Sequence, residues 1–150
     1  MDFISPQDCP YYLVTRVGLT ITAALKKGFA DAGLPNLRPA YMGVLMTLWE
    51  EDGQKVVDLA RGAGLEPSTM TGLLDRMERD GLVRREADPE DRRVLRIFLN
   101  EGARDAWPLV MKVALTVVDE AFTGIEPAHL EIVKDVLRRV LKNAHEEKNQ

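Results

Sequence analysis

Residues 66–100 read EPSTMTGLLDRMERDGLVRREADPEDRRVLRIFLN, and a change of period inside this stretch decides the fold. In its first half Met70, Leu73, Leu74 and Met77 stand at i, i+3, i+4 and i+7, which makes one buried helical face. The opposite face carries Thr69, Thr71, Gly72, Asp75, Arg76 and Arg79. After Gly81 the period falls to two: Leu95, Ile97 and Leu99 alternate with Val94, Arg96 and Phe98, the pattern of a half-exposed strand. The arms RREA and VLRIFLN close around DPEDRR, so Arg92 and Arg93 stand at the tip of a two-stranded hairpin. A helix with small hydroxyl side chains in its first turns, followed by arginine, has the shape and donors to enter a major groove. Helix and hairpin together predict a winged helix-turn-helix whose partner is double-stranded DNA.

Working outward, the flanking sequence is helical. A helix over about 10–30 has an apolar stripe of Val14, Val17, Ile21, Ala24 and Gly28, and Gly33 and Pro35 end it. Pro39 opens a helix to about Glu51 with Met42, Leu45, Met46 and Trp49 facing inward. A short helix over about 56–63 buries Val56, Leu59 and Ala60, and Gly64 supplies the turn into the reading helix. Pro67 suits the first helical position, leaving Glu66, or Ser68 in its place, as the cap. Asn100 is a good N-cap for a helix to about Phe122, bent or restarted near Pro108. A sixth helix starts near Pro127, and its Leu130, Val133, Leu137, Val140 and Ala144 are spaced 3, 4, 3, 4. That seam requires a partner helix. Because the winged helix completes a core by itself, the surplus apolar surface predicts a homodimer. Two-fold symmetry then places two half-sites about one DNA turn (~34 Å) apart.

Charge qualifies this expectation. The net charge is −4, mildly adverse to nucleic acid. From Gln54 to Arg104, however, ten basic residues balance ten acidic ones, and the remainder of the chain carries ten against fourteen. Nine of the ten central basic residues are arginine, which favours bidentate contacts over a diffuse cationic field. At 150 residues the chain suffices for one domain with a real core. No apolar run reaches eighteen residues, so no membrane span is expected. The N-terminal residues lack a secretory pattern, and a single cysteine suits a reducing compartment, so the cytoplasm is the expected location.

The order of elements and the words EPSTMTGLLDRMERDGLVRRE, DPEDRRVLRIFLNEG and LRPAYMGVLMTLWEEDG resemble the MarR family of bacterial transcription regulators, over essentially the whole chain. The wing pattern Asp-x-x-Asp-x-Arg of that family is met by Asp88, Asp91 and Arg93. The resemblance implies a mainly α fold, a winged helix-turn-helix over about 37–100 with a two-stranded β wing, flanked by dimerisation helices at about 10–30 and 101–146. It implies a repressor that binds a pseudo-palindromic operator as a homodimer, is released by an effector, and uses no cofactor.

Roles follow residue by residue. Ser68, Thr69 and Thr71 would touch bases or phosphates, and Arg76 would meet a phosphate or a neighbouring acid. Arg93 would reach into the minor groove with Asp91, beside Asp88, fixing its side chain, and Arg92 would contact phosphate. The family often carries a larger polar or basic side chain where Gly72 stands, which puts base readout at that position in doubt. An effector pocket of Tyr11, Tyr12, Arg16 and Trp49 would take a small aromatic or anionic molecule. Cys9, beside Tyr11 and Tyr12, has the ingredients of a peroxide sensor, although Asp2 and Asp8 would raise its pKa and slow its oxidation.

Plainer readings stand beside these. Arg76 and Arg79 could be solvated residues paired with Asp75 or Asp80, and the tip acids an ordinary polar turn. The aromatic residues could be core, and Cys9 a structural thiol. Asp88, Glu90 and Asp91 on an exposed turn lack the desolvation a catalytic carboxylate pair needs, so no enzyme is expected. His129 and His145 fall about 160° apart on a continuous helix and make no metal site. A winged helix serving only as a protein-interaction module is the remaining alternative, and the wing arginines distinguish the two.

Overall fold

The structure is a computed structural model and describes residues 5–146, with side chains through Ala144. Asp2 and the side chain of His145 lie outside the described residues. The chain divides into two compact units, Met1–Val117 and Val118–Gln150.

In the first unit, a single 3-10 turn at Pro6–Asp8 precedes α1, Pro10–Asp31. Only Phe29 of this helix is fully buried, and Val14 and Val17 on the expected stripe are more than half exposed. At the far end of the stripe a Cβ on Gly28 would lie 2.8 Å from Val113 Cγ1, so glycine is what permits the close approach there. A 3-10 turn at Pro39–Tyr41 leads into α2, Met42–Glu50. Its inward face is Val44, Leu45 and Leu48; Met46, expected inside, is 47% exposed. The strand β1, Gln54–Lys55, is followed at once by α3, Val56–Ala63. Gly64 turns the chain with φ 68°, and α4 follows over Pro67–Arg79. Its Met70, Leu73, Leu74 and Met77 are buried, as their spacing predicts.

The wing consists of β2, Val83–Ala87, and β3, Leu95–Leu99, antiparallel in the register Val83↔Leu99 to Ala87↔Leu95. The two-stranded wing is as expected, and a third strand that was not expected joins it: β1 pairs with the outer side of β3 through Gln54↔Ile97 and Lys55↔Arg96. Two residues have no readable period, which is why the strand escapes a sequence pattern. Leu95, placed inside by alternation, is 42% exposed, since it lies at the strand end nearest the tip. The helix after Asn100 is split into α5, Glu101–Asp105, and α6, Trp107–Ala121. Asn100 does occupy the N-cap position, but its amide donates to the carbonyls of Gly81 and Val83 and bonds nothing in the helix.

The second unit contains α7, Pro127–Glu146. Val133, Leu137 and Val140 of its seam are exposed, as are Ile132, Val136 and Leu141 beside it. No helix among the described residues is long and apolar enough to cross a membrane.

Candidate nucleic-acid interface

Burial of one face of α4 leaves the other in solvent: Ser68, Thr69, Thr71, Asp75, Arg76 and Arg79 are exposed and Gly72 is half-buried. The helix begins from extended Glu66, whose side chain makes no cap hydrogen bond, with Pro67 in the first turn. Thr71 Oγ1 donates 3.2 Å back to the Pro67 carbonyl, which orients its lone pairs outward.

The wing tip is built around Asp88. Its carboxylate is buried and accepts from the backbone amides of Glu90 at 2.8 Å and Asp91 at 3.3 Å. Arg96 Nε donates to it at 2.6 Å, and Arg96 Nη1 reaches the Gly53 carbonyl at 2.8 Å. The amide bonds, then Arg96, hold the Asp88 carboxyl below the usual carboxylate range. Asp91 is a separate centre: its carboxylate accepts from Arg93 Nε and Nη2, each at 3.0 Å, and from the Arg93 amide at 3.1 Å. The Arg93 contact lowers the Asp91 pKa and raises that of Arg93. Arg93 is nonetheless 90% exposed, so its direction is set while its outer donors remain free.

Three pairings that sequence reasoning missed brace this surface. Arg85 Nη1 donates to Glu78 and Nη2 to Asp75, both at 2.6 Å, which joins β2 to α4. Tyr41 Oη donates to Asp80 at 2.6 Å, with Arg38 and Arg79 at 3.4 and 3.8 Å from the same carboxylate. Asp52 accepts from the Leu99 amide at 2.9 Å and from Arg104 at 2.6 Å, which joins the loop before β1 to β3 and α5. Only Arg85 carried a local signal. It shares a strand face with buried Val83, and an inward arginine needs carboxylates.

The residues expected to form an effector pocket are not brought together within the described chain. Trp49 Nε1 donates to the Ala103 carbonyl at 3.0 Å, and its ring lies 4.7 Å from that of Trp107. It borders a cavity of about 250 Å³ with Leu45, Asp80, Leu82 and Ala106. Tyr11, Tyr12 and Arg16 do not line that cavity. They stand on the exposed first turns of α1, where Arg16 lies 6.0 Å from the centre of the Tyr12 ring. Cys9 is a half-buried free thiol at the N-cap position of α1. Among the described residues no group of three metal-ligating side chains converges.

A model of the MarR family matches residues 38–95, from the turn before α2 into β3. The transcription regulator YfiV of Bacillus subtilis is 33% identical over 120 residues, covering 78% of this chain and 72% of its own length. The chain belongs to the MarR family. Its fold is that of MarR structures. CouR from Rhodococcus jostii RHA1, solved with p-coumaroyl-CoA, has a TM-score of 0.75 at 26% identity, covering 93% of this chain and 96% of that one. Reduced AbfR, solved on DNA, has a TM-score of 0.72 at 26% identity over 89% and 90% of the two chains. This MarR-family chain is a transcription regulator and not an enzyme.

Proposed function

We propose that this regulator is a homodimeric repressor in which two copies of α4 and the wing occupy the halves of a pseudo-palindromic operator and block transcription by occupancy. The distribution of spent and unspent charge carries the reading. Asp75, Glu78, Asp88 and Asp91 are each engaged by an arginine of the same surface. Arg76 and Arg92, by contrast, have no carboxylate partner among the described residues. Cations left over from internal pairing are what DNA engages, through its phosphates or its base edges. Ser68, Thr69 and Thr71 meet the major groove, Arg93, steered by Asp91, enters the minor groove, and Arg92 contacts phosphate. AbfR on DNA supports this reading by analogy.

The homodimer rests on apolar surface that stays exposed among the described residues. Val14, Val17 and Leu19 of α1 are exposed, as are Val133, Leu137 and Val140 of α7. Stripes of this kind mark association surfaces. A small-molecule effector relieves repression, as the bound p-coumaroyl-CoA of CouR suggests by analogy. The cavity beside Trp49 suits that role, because Asp80, Gly81 and Leu82 at the end of α4 form one of its walls. Oxidation of Cys9 is the second, subordinate release route.

The test is fluorescence anisotropy of the purified protein on DNA flanking its own gene, beside scrambled DNA, at two salt concentrations. Nanomolar binding to the flanking DNA alone, weakening as salt rises, is expected. Equal weak binding to both would overturn the specific-repressor reading.

A further inference from the structure

We infer that Arg76, whose guanidinium lies over Gly72, reads a guanine. The inference rests on α4 being the reading helix. It assigns base specificity to a residue two turns along that helix. Side chains on a helix lean toward its N-terminus and cover the turn before their own Cα. Arg76 does so fully: a Cβ built on Gly72 would lie 3.7 Å from Arg76 Nη1. The guanidinium therefore rests over position 72, one turn nearer the hydroxyl-bearing end of α4 that enters a major groove first. A long side chain at position 72 would occupy that space.

The surrounding acids would normally capture such an arginine, and here each is already engaged. Asp80, at i+4, is the natural helical partner of Arg76. It instead accepts from the Tyr41 hydroxyl at 2.6 Å and lies 3.4 Å from Arg38. Asp75 and Glu78 are both held by the Arg85 fork at 2.6 Å. Arg76 is thus the helix arginine with no carboxylate partner among the described residues, while Arg79 has Asp80 at 3.8 Å. A planar fork above a glycine floor can approach a base edge closely. The edge it matches is O6 and N7 of guanine, two acceptors side by side. A lysine, with a single ammonium, would keep the charge and lose the match.

Selection of DNA from a random duplex pool by the full-length protein tests this, with Arg76→Gln and Arg76→Lys beside the unmodified chain and thermal melts as the folding control. The unmodified protein should enrich a two-fold symmetric motif with guanine at one symmetry-related pair of positions. Both variants should melt normally and lose the preference at that pair alone, with affinity for the guanine-bearing site lowered roughly 5- to 150-fold. Arg76→Lys should retain the salt dependence. An unchanged motif in Arg76→Gln, or a loss spread evenly over all sequences, would make Arg76 a phosphate contact and overturn the inference. A pool from which the unmodified chain enriches nothing would instead overturn the DNA-binding reading itself, and this inference with it.

Discussion

Arg96 Nε donates to Asp88 at 2.6 Å from the middle of the wing, eight residues along the chain. Its second nitrogen holds the Gly53 carbonyl at 2.8 Å, so one arginine fastens both the tip turn and the third strand. Replacing Asp88 with Asn keeps the shape and removes the charge. The amides of Glu90 and Asp91 should then lose hydrogen-exchange protection while Ile97, paired within the sheet, keeps its own. Undiminished protection at the tip would mean that the turn does not depend on this carboxylate.

Arg93→Ala removes the one tip side chain whose direction is set by a carboxylate on both Nε and Nη2. Specific DNA binding should weaken by about 1–3 kcal/mol, read as an anisotropy shift on an operator fragment. Unchanged affinity would sink the wing assignment.

Tyr41 is buried and gives its only hydroxyl proton to Asp80. Tyr41→Phe should cost about 1–2 kcal/mol near neutral pH, measured by urea unfolding. The Asp80 carboxyl is held low, first by the Tyr41 hydroxyl. Its contribution is therefore present above the ordinary carboxylate pKa of about 3.9 and disappears as pH falls through the lower folded value. Tyr41 itself is pushed up, first by burial and then by Asp80. Its contribution is present below about pH 10 and lost as pH climbs through the higher folded value. The difference between the two proteins should accordingly be largest between these limits and shrink toward both. A difference independent of pH would assign the cost to packing alone.

Gly53 combines φ 73° with a built Cβ 2.6 Å from Phe98 Cε1. Gly53→Ala should thus carry both backbone strain, of order 1–3 kcal/mol, and a clash that forces the Phe98 ring to shift. A drop in the urea midpoint is expected, together with loss of the β1–β3 pairing seen by NMR. A variant as stable as the parent would show that this loop can rearrange freely.

Leu137 is 40% exposed on α7, between Val133 and Val140 on the same stripe. A charge there should be tolerated by the single chain and not by a helix seam. Leu137→Glu is expected to sediment as a folded monomer with much weaker operator binding. A dimeric variant would place the association surface elsewhere.

Several of these features could be read from the chain alone. The buried face of α4, the change to period two after Gly81, and the starts of α4 and α7 at Pro67 and Pro127 are local patterns. They repeat every two or 3.6 residues and need no knowledge of neighbours. The misread positions share one cause. Met46 and Leu95 fit the local period but face solvent, because what lies above an apolar residue is set by elements distant in sequence. β1 was invisible for the same reason, since two residues become a strand only when β3 lies beside them.

The candidate interface divides along the same line. Composition and order alone determined which residues α4 and the wing present: hydroxyls in the first turns, arginines further along and at the tip. The sequence could not tell which of those arginines is spent. Arg85 meets Asp75 and Glu78 across ten and seven residues, Asp80 meets Tyr41 across 39, and Arg104 meets Asp52 across 52. Ion pairs form between groups that folding brings within a few ångströms, and Coulomb attraction at that range ignores separation along the chain. Only the tertiary structure could therefore decide which arginines of α4 and the wing are paired and that Arg76 and Arg92 have no carboxylate partner among the described residues.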